Sequence, residues 1–179
     1  MQIRAVRDIV PDEEITLTYI DTVATCEERK AQLRKHNIEC KCPACLNHAV
    51  SDIRRKGFRE HPAINAPIVR DPDEALDAWI QPALNRLAEM EEEGVEADTA
   101  YGNTLLQIVK GYAVIGDERA VMYGKKLYAF QRASRKEDAE DGLFLELTEL
   151  STLKHAMSFL WGASLKVADA GEPLALVHA

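Results

Sequence analysis

Three cysteines fall within six residues, Cys40-Lys41-Cys42-Pro43-Ala44-Cys45, and a fourth, Cys26, lies fourteen positions upstream. Thiolates spaced this closely can converge on one metal ion at little loop-closure cost. Tetrahedral zinc takes four ligands, and the CxCxxC supplies three. Cys26, His48 and His36 are the candidates for the fourth. The competing reading is a set of free thiols packed as small hydrophobes. A disulfide requires an oxidising compartment, and the N-terminus Met1-Gln2-Ile3-Arg4 lacks the apolar core of a secretory signal. The motif therefore favours a structural zinc site on Cys40, Cys42 and Cys45.

Charge narrows the class of partner. The 179 residues carry 22 Lys+Arg against 30 Asp+Glu, a net charge of -8. A general nucleic-acid binder needs a cationic face, so no direct nucleic-acid contact is expected. No apolar run approaches the ~20 residues that a membrane helix needs. The expected location is the cytoplasm, the nucleus or both. The charge is unevenly spread. Glu27 to Glu60 holds nine Lys/Arg and five Asp/Glu, whereas Asp71 to Ala100 holds one basic residue and ten acidic ones. This asymmetry fits either two solvated surfaces or two modules.

Local patterns predict a mainly α chain with a short N-terminal β pair. Residues 2–9 and 15–20 alternate as strands around a turn at Val10-Pro11-Asp12-Glu13. Thr25 and Glu28 have the spacing of a capping box, and Asn37 is a natural helix stop. Residues 49–70 read as a linker with a basic run, Arg54-Arg55-Lys56, which reads as a solvated face, with contact to an acidic partner as the alternative. Asp71-Pro72 reads as a helix start, Pro82 as a kink or restart, and Gly94 as an end. A helix over 98–115 carries the stripe Tyr101, Leu105, Ile108 and Tyr112. Gly116-Asp117 turns into a helix reaching Ser134 with Ala120, Tyr123, Leu127 and Phe130. Together these two make one tetratricopeptide-like hairpin. Residues 135–141 read as a loop. A last helix over 143–168 is apolar on more than one face, which predicts that it is central in a bundle or covers a partner.

The order of these pieces resembles a known family. Ile3-Arg4-Ala5-Val6-Arg7-Asp8-Ile9, then Asp12-Glu13-Glu14-Ile15-Thr16-Leu17-Thr18-Tyr19, then the Arg/Lys-bearing helix and the CxCxxC, resemble the end of a SET domain and its post-SET segment. The group it looks most like is the SET and MYND (SMYD-like) group with related fungal SET proteins. These are largely S-adenosylmethionine-dependent protein lysine methyltransferases, histones among their substrates. The resemblance covers about residues 2–46. It implies that Tyr19 lines the lysine channel and that Cys40, Cys42 and Cys45 are the post-SET zinc ligands. It implies four segments: 1–24 closing a SET domain, 25–48 the post-SET helix and cysteines, 49–70 a linker, and 71–179 an α-helical C-terminal domain.

The family's glycine motif for the cofactor and its Asn-His-Ser-Cys segment, source of the fourth zinc ligand, have no counterpart in these residues. Ile38 stands where an aromatic usually covers the cofactor. The expectation is a piece of such a methyltransferase, with S-adenosylmethionine bound only in an intact parent and no catalysis by the chain alone. The alternative is a non-catalytic helical interaction module, built on a structural zinc knot, that binds a protein partner.

Overall fold

The computed structural model describes residues 5, 7, 9–15, 18, 20–60, 80–134, 147–158 and 161–162. Among them there are seven helices: α1 Cys26–Arg34, α2 Pro43–Leu46, α3 His48–Arg59, α4 Gln81–Glu92, α5 Thr99–Val114, α6 Arg119–Ser134 and α7 Leu150–Ala156.

No strand is seen among the described residues, and most of the expected N-terminal pair, residues 2–4, 6, 8, 16, 17 and 19, lies outside them. The turn does form: Asp12 takes φ 67, and the Glu13 N–H donates to the Val10 carbonyl at 3.2 Å. An Arg7–Glu13 ion pair braces it. Val10, in the turn, and Ile15, after it, are exposed.

Helix α1 starts on the predicted box. The Thr25 N–H donates to Glu28 Oε2 at 2.7 Å, and the Glu28 N–H donates back to Thr25 Oγ at 3.4 Å. It ends where Asn37, at φ 56, lets the Ile38 N–H reach the Leu33 carbonyl at 3.2 Å. The stretch read as a linker opens instead with α3, which buries Ser51, Arg55 and Phe58. Its inward face is largely polar, so apolar periodicity does not announce it. Residues 61–79, including the expected helix start at Asp71-Pro72, lie outside the described residues.

Pro82 falls in the first turn of α4, which begins at Gln81, where a missing N–H costs nothing. Gly94 and Gly116, at φ 65 and 73, close α4 and α5 with the same pair of reversed hydrogen bonds. The Val95 N–H reaches the Met90 carbonyl at 3.1 Å, and the Asp117 N–H reaches the Tyr112 carbonyl at 2.9 Å.

Helix α5 is the centre of the core. Tyr101, Leu105, Ile108 and Tyr112 are buried, as their spacing predicts, but so are Ala100, Thr104, Val109 and Ala113 on other faces. It packs chiefly against α6 and α4. Ala120, Leu127 and Phe130 of α6 are buried, and Tyr123 stacks on Tyr112 with ring centroids 5.6 Å apart. Of the expected last helix, residues 143–146, 159–160 and 163–168 lie outside the described residues. Among the described residues of that stretch the helix is only α7, anchored by buried Leu147, Leu153 and Met157. The Gly162 N–H ties it to the Ala113 carbonyl at 2.8 Å. No helix of the described residues is long and apolar enough to cross a membrane.

Candidate metal centre

Cys40 ends the loop after α1. Cys42 precedes α2 as its N-terminal cap residue, and Cys45 lies inside that helix. Pro43 at the first helical position sets the tight turn, and the Cys45 N–H donates to the Cys42 carbonyl at 2.9 Å. This local winding folds the CxCxxC back on itself. The three Sγ atoms lie within 4.8 Å of one another. Four thiolates at zinc–sulfur distances of ~2.3 Å would sit about 3.8 Å apart, so the cluster fits one tetrahedral ion with little adjustment. Among the described residues it holds these three ligand groups, and Cys26, His36 and His48 are not members.

Cys26 is nonetheless close by. Its buried thiol donates to the Cys45 carbonyl at 3.8 Å, and its N–H donates to Asp52 Oδ1 at 2.7 Å. His36 and His48 are exposed. Tyr19, the lysine-channel expectation, lies outside the described residues.

The thiols differ in environment. Burial pushes the Cys45 thiol up, but hydrogen bonds from Arg29, Cys42, Cys40 and Cys26 outweigh it and hold it below the usual range. At Cys40 a backbone hydrogen bond from Cys42 pulls down. Burial and the neighbouring thiols outweigh it, so that thiol rises. Burial, then contact with Cys45, raises Cys26.

The basic run assigned to solvent is in part a clamp. Arg55 is buried and meets Glu93 at 3.1 Å. It also donates to Ser51 Oγ at 3.0 Å, to the Glu93 carbonyl at 3.0 Å and to the Thr22 carbonyl. Ser51 Oγ donates to Glu93 at 2.6 Å, and Arg54 pairs with Glu92 at 2.9 Å. The uneven charge of the sequence is therefore partly an internal interface that docks α3 on the end of α4. Arg29, buried under the cysteines, is the other residue that sequence reasoning passed over; its nearness to Cys45 comes from the fold, not from spacing. A groove of about 1320 Å³ opens beside the cluster, lined among others by Ile15, Ile38, Cys42, Arg54 and Glu92.

Part of the chain is similar to SMYD histone-lysine methyltransferases. Over 44 residues it is 50% identical to human histone-lysine N-methyltransferase SMYD3, covering 24% of this chain and 10% of that protein. The mouse protein of the same name is 48% identical over 44 residues, with the same coverage. Human histone-lysine N-methyltransferase SMYD1 is 32% identical over 72 residues, 40% of this chain and 14% of that one. The chain thus spans about a tenth of the length of the first of these relatives. No protein-family model matches the chain, and no solved structure matches it.

Proposed function

We propose that this chain carries the post-SET part of a SMYD-like protein lysine methyltransferase, with zinc as its structural metal. The observation that carries the reading is the convergence of Cys40, Cys42 and Cys45 Sγ within 4.8 Å. The partial likeness to SMYD histone-lysine methyltransferases supports it. Zinc bound there pins the loop after α1 to α2 and so shapes the wall of the adjoining groove. Methyl transfer needs an uncharged amine held in line with a sulfonium methyl in a dry channel, so positioning counts for more than a strong base. Tyr19 is the residue of this chain assigned to that channel, where its phenol would orient the target amine by hydrogen bonding. The helical hairpin α5–α6 is read as the tetratricopeptide-like part of a C-terminal helical domain. Cofactor binding is assigned to residues of an intact parent, and the chain alone is read as inactive on its protein substrate, a histone among the candidates.

A second reading, a non-catalytic interaction module with a zinc knot, draws support from exposed Leu46, Val50 and Ile53 along α2 and α3. Calorimetric titration with S-adenosylmethionine separates the parts of the proposal. The isolated chain is expected to give no binding heat. Co-expressed with the preceding SET portion of a SMYD-like protein, it is expected to yield methyltransferase activity that Tyr19→Phe cuts sharply. Cofactor binding by the chain alone contradicts its assigned inactivity. A stable co-expressed complex without activity contradicts the methyltransferase origin.

A further inference from the structure

We propose that Arg29 is the positioning residue of the metal centre: its buried guanidinium donates to Cys45 Sγ and balances the charge that three thiolates bring to a divalent ion. The inference rests on the metal reading above and deepens it.

Arg29 is 4% exposed, a rare state for arginine. A buried cation is costly unless it is paired and fully hydrogen-bonded. One terminal nitrogen donates to the Ala24 carbonyl and lies 3.9 Å from Asp52 Oδ1. The other is aimed at Cys45 Sγ, 3.6 Å away. A neutral thiol is a weak acceptor, whereas a metal-bound thiolate gives this N–H a charge-assisted partner. A divalent ion with these three thiolates and a neutral fourth ligand carries one net negative charge, which the guanidinium offsets. The support is itself fixed. Asp52 sits on α3 and accepts the Cys26 N–H at 2.7 Å, so Asp52, Arg29 and Cys45 link α3 through α1 to α2. The planar fork of arginine serves a carbonyl and a sulfur at once, which a point charge does not. Neighbours that hold metal ligands in this way typically set metal affinity by about 10–100-fold.

The test is a Co(II) titration of the full chain, followed by its thiolate-to-cobalt charge-transfer band, with zinc competition for affinity and far-ultraviolet dichroism for folding. The parent chain is expected to show the band. Arg29→Met is expected to bind about 10–100-fold more weakly, at unchanged helicity, with the band moved to lower energy as the thiolate loses its donor. Arg29→Gln, which keeps an N–H but no charge, is expected to show the same two effects more weakly. Unchanged affinity, or weaker binding without a band shift, overturns the role and leaves Arg29 as a tether between helices. Should Arg29→Met lose its helicity, Arg29→Gln decides on the same two readings. No band in the parent chain removes the metal centre itself, and the role with it, before any substitution is considered.

Discussion

Arg55 and Glu93 meet at 3.1 Å with side chains only 5% and 9% exposed, although 38 positions separate them in sequence. The pair joins the helix that follows the cysteines to the end of α4. Removing Arg55 leaves Glu93 the longer contact with Arg54 at 3.5 Å and the Ser51 hydroxyl, so the remaining charge is weakened rather than stranded. Arg55→Met or Glu93→Gln is expected to cost about 1–3 kcal/mol in denaturant unfolding. The double variant is expected to cost clearly less than the two singles combined, because the shared interaction is lost only once. Additive losses would mean that the two side chains act independently.

The helical part depends on a close approach at Gly124. A Cβ built there comes 2.0 Å from the Leu147 carbonyl oxygen, which is backbone and does not yield cheaply. Gly124→Ala is expected to destabilise the chain by about 1–3 kcal/mol and to weaken the docking of the segment leading into α7. Gly57, inside α3, has nothing within 4 Å of the same built atom. Gly57→Ala is expected to stabilise by about 0.5–1 kcal/mol. Thermal melts of the two variants should therefore move in opposite directions.

Asp117 gives the turn between α5 and α6 an acid-sensitive element. Hydrogen bonding from the Arg119 side chain, foremost, and from the Arg119 backbone holds its carboxyl below the ordinary range, against a smaller effect of burial. The Arg119 N–H at the start of α6 donates to Asp117 Oδ1 at 2.7 Å. Because the folded-state value is depressed, the stabilisation is present above the unfolded value of ~3.9 and is lost as pH falls through the lower folded value. Asp117→Asn is expected to lower stability by a few tenths of a kcal/mol at neutral pH, since the exposed ion pair with Arg119 is screened by solvent. The difference from the parent should shrink toward zero in strong acid. A difference that does not change with pH would show that only the uncharged hydrogen bond counts.

Much of the fold was legible because it is written in short-range chemistry. Thr25 with Glu28, Asn37, Gly94 and Gly116 start and stop helices through contacts within a few residues, and each behaves as its type predicts. The stripe Tyr101, Leu105, Ile108 and Tyr112 faces the core for the same reason. What was not legible depends on distant partners. Helix α3 hides inside an apparent linker because Arg55 and Ser51 turn inward only with Glu93 to receive them. The N-terminal alternation at Ile15 falls mostly outside the described residues, and no strand is seen among them. The central place of α5 rests on burial on several faces, with Gly102 against the Phe130 ring, which a single apolar stripe does not state. At the candidate site the three ligands could be named from their spacing, whereas Arg29 becomes visible only when α1 is laid beside α2.

Cys40, Cys42 and Cys45 are proposed to act as one metal centre. The deciding measurement is elemental analysis of the purified full chain, paired with counting of reactive thiols under native conditions. One zinc per chain is expected, with the thiols of Cys40, Cys42 and Cys45 shielded until a chelator removes the metal. Cys42→Ser is expected to lower the zinc content sharply while leaving α5 and α6 folded. No zinc, with the exposed Cys42 and half-buried Cys40 reacting freely from the start, would rule the centre out.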